Sequence, residues 1–416
     1  MSQPPEPTIA LIGTGDTKAQ EYTWIWRQLQ RVGARVVTID AGLDSVLAGT
    51  DFPPSSVAAR AGVDLAELRA AGRGDTITAM AAGVRDIIVE SIESETIDGV
   101  FAFGGSGGSA LAAPALQAAP IGMPTVLVST MASGDVGPYV GVCDVSITYS
   151  VVDIAGINPV NSVILDNAIV ATVAMAARYR DRRIEQAFDE TNAGTRTVAI
   201  TMFGVTTPAA DEARARLEEL GYDVLVFHAT GSGGRAMEKL IESGHIVGVC
   251  DMTTTELADE LLGGVLSAGE DRLLAAGAHA IPQVVSVGAL DMVNFGSPET
   301  VPDHYRHRTL LAHNPSVTLM RTSASEMREL GAIVADKLNA SRGPVAMFLP
   351  LGGISAVDVP GQPFHDPQAD EELFSTLRAR LDPTTVGLIE SASAINDPGF
   401  GRAMADRLHA MIEGAS

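Results

Sequence analysis

Three glycine-rich stretches in the first half of the chain have the composition of anion-binding loops. GTGDTK comprises Gly13, Thr14, Gly15, Asp16, Thr17 and Lys18; FGGSGGSA carries Gly104, Gly105, Ser106, Gly107, Gly108 and Ser109; STMASGD runs from Ser129 through Ser133 and Gly134 to Asp135. Glycine lets the backbone approach an anion closely, and successive N–H groups turned inward make a concave nest. Where such a loop opens a helix, the first-turn N–H groups and the helix dipole add to the attraction. Lys18 then lies near the phosphates, and Ser106, Ser109 and Ser133 offer hydroxyls. Asp40 ends the apolar run ARVVTID, where acids in dinucleotide folds accept a ribose hydroxyl; a turn cap is the equal alternative. No loop reads G-x-x-x-x-G-K-[ST] or G-x-G-x-x-G in the dinucleotide context, so each alone is also explained as a tight strand-to-helix turn.

The second half repeats the pattern in HATGSGGRAMEK. There Gly231, Ser232, Gly233 and Gly234 open a helix, and Arg235 is placed to grip an anion in bidentate fashion. His228, Asp251, Glu256, Asp291, Asn294, His313, Asn314, Asp358, His365 and Asp366 fall at strand ends or in loops. Among them His228, Asp251 and His365 are candidates for general acid–base chemistry; singly, such residues are more often caps or ion-pair partners. No H-E-x-x-H spacing occurs, and no metal ligands are assigned. Three threonines in DMTTTELADEL suit helix capping, with Thr253 and Glu256 at capping-box spacing. The Pro- and Gly-bearing stretch Met292 to Arg308 suits a lid or interface loop. Cys143 and Cys250 sit in apolar contexts and read as inert thiols, and Ser129 and Ser133 lack a G-x-S-x-G elbow.

Loops of this kind need rigid elements to present them, and the pattern supplies these. Short β-branched runs alternate with amphipathic or Ala-rich segments throughout, which predicts an α/β class with two doubly wound, mainly parallel sheets. In the first half TIALIG, ARVVTID, IDGVFAFGG and PTVLVST are strands, with helices over Thr17–Arg31, Asp75–Ile92 and Pro159–Phe188. The polar stretch DETNAGTRT reads as a linker, dividing a nucleotide-binding domain at 1–193 from a second α/β domain at 194–416. TVAITMFG, YDVLVFHATG and HIVGVCD restart the cycle, and PQVVSVG, SVTLMRT, PVAMFLPLGG and TVGLIE extend it to six or seven strands. GTGDT against FGVTT, and GGSGGS against TGSGGR, suggest an echo between the halves.

Composition bounds the function. The 416 residues carry 28 Lys and Arg against 51 Asp and Glu, a formal charge of -23 that disfavours nucleic acid as a partner. With 46% apolar residues the chain has ample core for a soluble fold, and its two cysteines suit a reducing cytoplasm. The N-terminus lacks a secretory pattern, and no apolar run nears the ~20 residues of a bilayer span, so no membrane partner is expected. The 42 glycines, about 10% against ~7% in average proteins, concentrate in the loops above.

The strings GTGDTK, FGGSGGSALAAPA, VSTMASGDVGPYVG, YSVVDIAGIN, TMFGVTTP, VFHATGSGGRAMEKL, DMTTTELADEL, GALDMVNFG, HNPSVTLMRT and PGQPFHDPQAD resemble the ATP-binding family typified by the tomato mosaic virus resistance protein. Its bacterial members form a long-uncharacterised family, and the resemblance covers about Thr8 to Asp397. It implies two α/β domains, ATP bound with Mg²⁺ in the N-terminal one, and homo-oligomers, dimers or larger. The family's glycine-rich segments map to Gly13–Lys18 and Gly104–Ser109. The plant protein's antiviral role, exerted through a viral helicase, is not carried over to this chain. An ATP-binding protein is therefore the leading expectation. The alternative is an enzyme acting on a small carboxylated or phosphorylated metabolite in the second domain or the cleft, and a non-catalytic scaffold is a third reading.

Overall fold

The computed structural model describes residues 6–45, 47–188 and 196–414, in two compact units, Met1–Asn192 and Ala193–Ser416. Of the polar stretch DETNAGTRT at 189–197, expected to be a linker, residues 189–195 lie outside the described residues, and Thr197 already belongs to the first strand of the second unit.

The first unit runs β1 (Thr8–Gly13), α1 (Ala19–Arg31), β2 (Arg35–Asp40), α2 (Pro54–Arg60), α3 (Leu65–Ala70), α4 (Arg73–Glu93), β3 (Gly99–Gly104), α5 (Ser106–Ala118), β4 (Thr125–Ser129), α6 (Gly137–Val140), β5 (Ser146–Tyr149) and α7 (Pro159–Phe188). Its five strands are all parallel in the order β2-β1-β3-β4-β5. Every residue of β1, β3 and β4 is buried, as expected of parallel strands covered on both faces and written as continuous apolar runs. On one face Ile12, Val100 and Leu127 pack against Val57 of α2, Met80, Val84 and Ile87 of α4, and Leu111 of α5. On the other, Leu11, Phe101 and Val128 pack against Ile25 and Leu29 of α1 and Leu165, Ile169 and Val173 of α7. Helices α2 and α4 meet at Gly83, where a Cβ would stand 2.0 Å from the Val57 carbonyl oxygen.

Helix α7 amends one expectation. Its segment Pro159–Arg183 is long and apolar enough to cross a bilayer by length and composition. Leu165, Ala168, Ile169, Val173 and Ala176 are buried against the sheet, the arrangement of a core helix.

The second unit runs β6 (Thr197–Met202), α8 (Thr207–Glu219), β7 (Asp223–His228), α9 (Ser232–Glu242), β8 (Gly248–Thr253), α10 (Thr255–Leu262), α11 (Ala275–Ala278), β9 (Gln283–Gly288), β10 (Met292–Phe295), β11 (Leu310–Asn314), β12 (Val317–Arg321), α12 (Ala324–Asn339), β13 (Val345–Pro350), α13 (Pro367–Arg380), β14 (Val386–Ser391) and α14 (Phe400–Gly414). Its main sheet has six parallel strands in the order β14-β13-β9-β8-β6-β7. Counted from the start of each unit, both sheets follow the order 2-1-3-4-5, and the second adds a sixth strand. Two mainly parallel α/β domains of Rossmann-like type are therefore present.

Two local expectations are corrected. MVNF, read as the start of a lid, is the fully buried strand β10; SVTLMRT supplies β12, which joins no parallel sheet. With β11 they form an antiparallel sheet in the order β10-β12-β11. The echo between the glycine loops is also not one of position. GGSGGS follows the third strand of its sheet, whereas TGSGGR follows the second strand of the other.

Candidate functional site

In a doubly wound sheet, ligands collect outside the carboxyl ends of the strands where the strand order reverses. In the first unit that point lies between β1 and β3, and the loops that follow them are GTGDTK and GGSGGS. A cavity of about 390 Å³ opens here, with Thr14, Asp16, Thr17, Gly107 and Gly108 in its wall. Leu68, Ile77, Met80 and Leu111 supply apolar surface, and Arg69 and Arg73 supply positive charge.

Helix α5 begins at Ser106 with Gly105 as its N-cap, and no side chain caps it. The first intrahelical bond runs from the Ser109 N–H to the Gly105 carbonyl at 2.9 Å. The N–H groups of Ser106, Gly107 and Gly108 thus have no acceptor among the described residues, the ordinary condition of a helix start that awaits an external partner. Beside them, Arg73 Nη2 lies 3.6 Å from the position a Gly107 Cβ would occupy. No carboxylate pairs with Arg73 among the described residues. Arg69, by contrast, donates from Nε to Asp44 Oδ1 at 2.8 Å and from Nη2 to the Leu43 carbonyl at 3.0 Å. Neither arginine was singled out in sequence. Both lie over thirty positions from either glycine loop, and only the flanking glycines of GRGD hint that Arg73 opens a helix.

Most of the expected residues of this unit brace the loops, Thr14, Asp16 and Thr17 doing so from the cavity wall. Asp40 is buried, and its Oδ1 accepts the Gly15 N–H at 2.8 Å and the Gly42 N–H at 3.0 Å, while the Ser45 hydroxyl bonds Oδ2. It therefore ties the first loop down, and, fully buried, it does not line the cavity. Gly15 suits this contact, because a Cβ there would stand 2.4 Å from Asp40 Oδ2. Asp16 Oδ2 accepts the Leu43 N–H at 2.9 Å, and the Thr14 and Thr17 hydroxyls bond each other at 2.8 Å. Gly13 and Gly104 close their strands. Lys18 is corrected: its ammonium donates to the Ile154 carbonyl and does not line the cavity. Ser109 and Ser129 are buried and share a bond at 2.6 Å. The Ser129 hydroxyl also accepts the Met131 N–H, and Asp135 Oδ1 accepts that of Gly137. Ser133 and Gly134 are exposed, and the STMASGD loop lines no part of the cavity.

In the second unit the N–H groups of the TGSGG loop, which follows the second strand of its sheet, are taken by the protein itself. Gly231 and Gly234 donate their N–H groups to Glu256 Oε1 at 2.7 and 3.0 Å. Glu256 Oε2 in turn accepts Arg272 Nε at 2.6 Å, and Arg272 Nη2 reaches Asp251 Oδ1 at 2.7 Å. Arg272 is fully buried, and its Nη1 also approaches Glu238 at 3.2 Å. Asp251 further accepts the Thr201 hydroxyl at 2.7 Å. The strand-order reversal between β6 and β8 is bridged by the Thr206 and Thr253 hydroxyls at 2.7 Å. These bonds make Asp251 an ion-pair partner and the TGSGG loop a bound one. Ser232 and Arg235 are exposed, and Arg235 Nη1 donates to the Ser267 carbonyl at 3.0 Å. Gly233 lies so close to β7 that a Cβ would meet the His228 carbonyl oxygen.

His228 ends the edge strand β7, exposed and edge-on to Phe203 with ring centroids 5.7 Å apart. His365 is exposed in the segment between β13 and α13. No hydrogen bond or ion pair joins any two of His228, Asp251 and His365 among the described residues, so the structure does not assemble them into an acid–base set. His313 and Asn314 are exposed in β11. Asn294 is buried against Asp259, whose carboxyl burial pushes up to about 7. Burial likewise pushes the Cys250 thiol up to about 12, which keeps it protonated and inert.

The Uncharacterised protein family (UPF0261) N-terminal domain matches residues 7–181, and the C-terminal domain of the same family matches residues 195–412. A UPF0261 protein of Clostridium tetani is 43% identical over 407 residues, covering 97% of this chain and 99% of that one. The ToMV resistance protein Tm-1(GCR237) of Solanum lycopersicum is 38% identical over 423 residues, covering 97% of this chain but 56% of the tomato protein. Among solved structures, UDP-N-acetylglucosamine 2-epimerase from Rickettsia bellii aligns with 67% of this chain and 78% of that one, at 9% identity and a TM-score of 0.24. Matched by both domain models and by relatives along nearly its whole length, the chain belongs to the UPF0261 family.

Proposed function

We propose that this chain is an ATP-binding protein whose first unit seats the nucleotide phosphates at the N-terminus of α5. One observation carries the reading. Gly107 and Gly108, whose N–H groups have no acceptor among the described residues, and Arg73, which no described carboxylate pairs, line one cavity of about 390 Å³ at the point where the strand order reverses. Backbone donors at a helix start and a guanidinium are the groups that recognise phosphate oxygens. The apolar wall of Leu68, Ile77, Met80 and Leu111 suits the flat, weakly polar part of a nucleotide. No group of three or more His, Cys, Asp or Glu among the described residues is placed to hold a metal ion. Mg²⁺ would arrive on the phosphates, with Asp16 the one carboxylate among the cavity's described lining residues.

Calorimetric titration of Mg²⁺-ATP into the purified full chain tests the reading. Arg73→Ala should weaken binding by roughly 10- to 100-fold, the range of a hydrogen bond to a charged group. Lys18→Ala should leave affinity unchanged, because its ammonium is held at Ile154. Absence of binding to folded wild-type protein would end the proposal, and a large loss in Lys18→Ala alone would move the phosphates to the other loop.

A further inference from the structure

A second cavity of the first unit, of about 430 Å³, shares no lining residue with the one at α5. It lies between one face of α1, the edge strand β2 and the segment 47–51 that follows that strand. Helix α1 contributes Tyr22, Trp26 and Gln30, which at a spacing of four residues stack along one face of the helix. Thr38 enters from β2, and Leu47 and Asp51 enter from the segment. Tyr22 and Thr38 are buried, Trp26 is half-buried against the core between α1 and α7, and Gln30 and Asp51 are exposed at the mouth.

The carboxylate in this wall is fixed by the fold. Asp51 Oδ2 accepts the Thr38 N–H at 2.8 Å and the Thr38 hydroxyl at 2.6 Å, and the same hydroxyl accepts the Asp51 N–H at 2.8 Å. The next residue continues the tie: the Phe52 N–H bonds the Thr38 carbonyl and the Phe52 carbonyl accepts the Asp40 N–H, both at 2.9 Å. Oδ1 of Asp51 has no hydrogen bond or ion pair among the described residues. The Tyr22 hydroxyl is committed to the Leu11 and Ile39 carbonyls at 3.1 and 3.2 Å, which leaves its ring to the cavity.

Asp51 is the one charged residue among the described lining residues, which include no Lys, Arg or His. An anion in this cavity would stand beside a carboxylate with no counter-charge to offset the repulsion. A cation gains in two ways. An ammonium N–H makes a charge-assisted bond to a carboxylate oxygen that has no other donor, and positive charge is attracted to the faces of aromatic rings such as those of Trp26 and Tyr22. These two rings and Leu47 give the rest of such a ligand apolar surface to cover. We infer that this cavity is a separate ligand site that takes a small organic ammonium ion with an apolar body, its nitrogen on Asp51 Oδ1 and its body against Trp26 and Tyr22. Gln30 at the mouth offers its amide oxygen as a further acceptor.

Fluorescence titration of the full chain tests the site. The chain has two tryptophans, so Trp24→Phe leaves Trp26 as its only indole. 2-Phenylethylammonium should change the Trp26 emission saturably, and 2-phenylethanol, which has the same body without the charge, should bind at least about tenfold more weakly. Equal affinity for the two, a preference for phenylacetate, or no saturable response to the amine by about 10 mM would overturn the inference. Asp51→Asn should weaken amine binding by roughly 10- to 100-fold, the range of a hydrogen bond to a charged group, and leave the alcohol unchanged. That variant removes one charge from a net of -23, so a loss of this size separates the site from attraction to the acidic surface at large. Amine affinity unchanged in a folded Asp51→Asn would place the ion elsewhere and equally sink the assignment. Because the substitution also touches the tie to Thr38, the comparison of amine with alcohol is made with Asp51 intact and stands without the variant.

Discussion

Oε1 of Glu256 accepts the N–H of Gly231 at 2.7 Å, so the glycine loop of the second unit already holds a carboxylate, and that carboxylate comes from the chain itself. The N–H groups of Gly231 and Gly234 in the TGSGG turn face a carboxylate of the chain, where the sequence reading expected a substrate anion. Glu256 belongs to α10, more than twenty positions away, and is held by the buried Arg272. At the start of α5 in the first unit, no carboxylate among the described residues reaches the N–H groups of Gly107 and Gly108. The two glycine loops thus differ in their occupant more than in their composition.

Replacing Glu256 by Ala should destabilise the second unit by about 3–5 kcal/mol, because it leaves Arg272 short of a counter-charge and two loop N–H groups without an acceptor. Urea unfolding of the full chain measures this. ATP affinity should be unchanged, which separates the effect from a ligand site.

Gly107→Val should fold normally yet lose nucleotide. A Cβ at this position meets only Arg73 Nη2 at 3.6 Å and Ile77 Cδ1 at 3.7 Å, ordinary contact distances. The rest of the valine would project toward the cavity and the phosphate donors. An unchanged melting temperature together with at least tenfold weaker ATP binding is the expected pair of results; unaltered affinity would place the phosphates elsewhere.

Gly83→Ala runs against helix propensity. Alanine ordinarily favours a helix interior by about 1 kcal/mol over glycine. Here the added Cβ would stand 2.0 Å from the Val57 carbonyl oxygen, a backbone atom that can retreat only if α2 moves. We expect a net loss of roughly 1–3 kcal/mol, the range of overpacking, seen as a lower melting temperature of the first unit.

The second unit should become less stable as pH rises from about 4 to about 7. Asp259 and Asp370 are each raised from 3.8 to about 7, mainly by burial. The folded state then binds more protons than the unfolded state across that window, so unfolding free energy falls with pH. Glu326 runs the other way. Arg308 and the Ser323 cap lower it despite burial, so its stabilising contribution is present above the usual glutamate range and lost in acid. Scanning calorimetry at about pH 5 and about pH 8 should show the second unit's transition lower at the higher pH. A transition that rises with pH would contradict the assignment.

What the residues revealed in advance follows from how local each signal is. β1, β3 and β4 are apolar runs closed by glycine or serine, and their assignment needs only neighbours in sequence. Helix α7 was legible from its length and its Ala- and Val-rich composition. The antiparallel sheet was not, because MVNF is short and its partner Val317–Arg321 lies more than twenty positions away. The site divided in the same way. Gly107 and Gly108 could be named from composition, whereas the open state of their N–H groups depends on which side chains fail to reach them. The Arg73 guanidinium arrives from another helix, and the Ile154 carbonyl that holds Lys18 lies 136 positions downstream. Chain-distant partners of this kind leave no periodic trace.

The shared strand order also means that the molecule carries its own control. Two sheets of like topology reverse their strand order at the same place, the first with a cavity between β1 and β3 and the second with the Thr206–Thr253 hydroxyl bond between β6 and β8. A photoreactive nucleotide offered to the intact chain is thereby tested at both reversals under identical conditions. Label on peptides from 196–414 measures background, and the excess on peptides from 6–188 measures recognition.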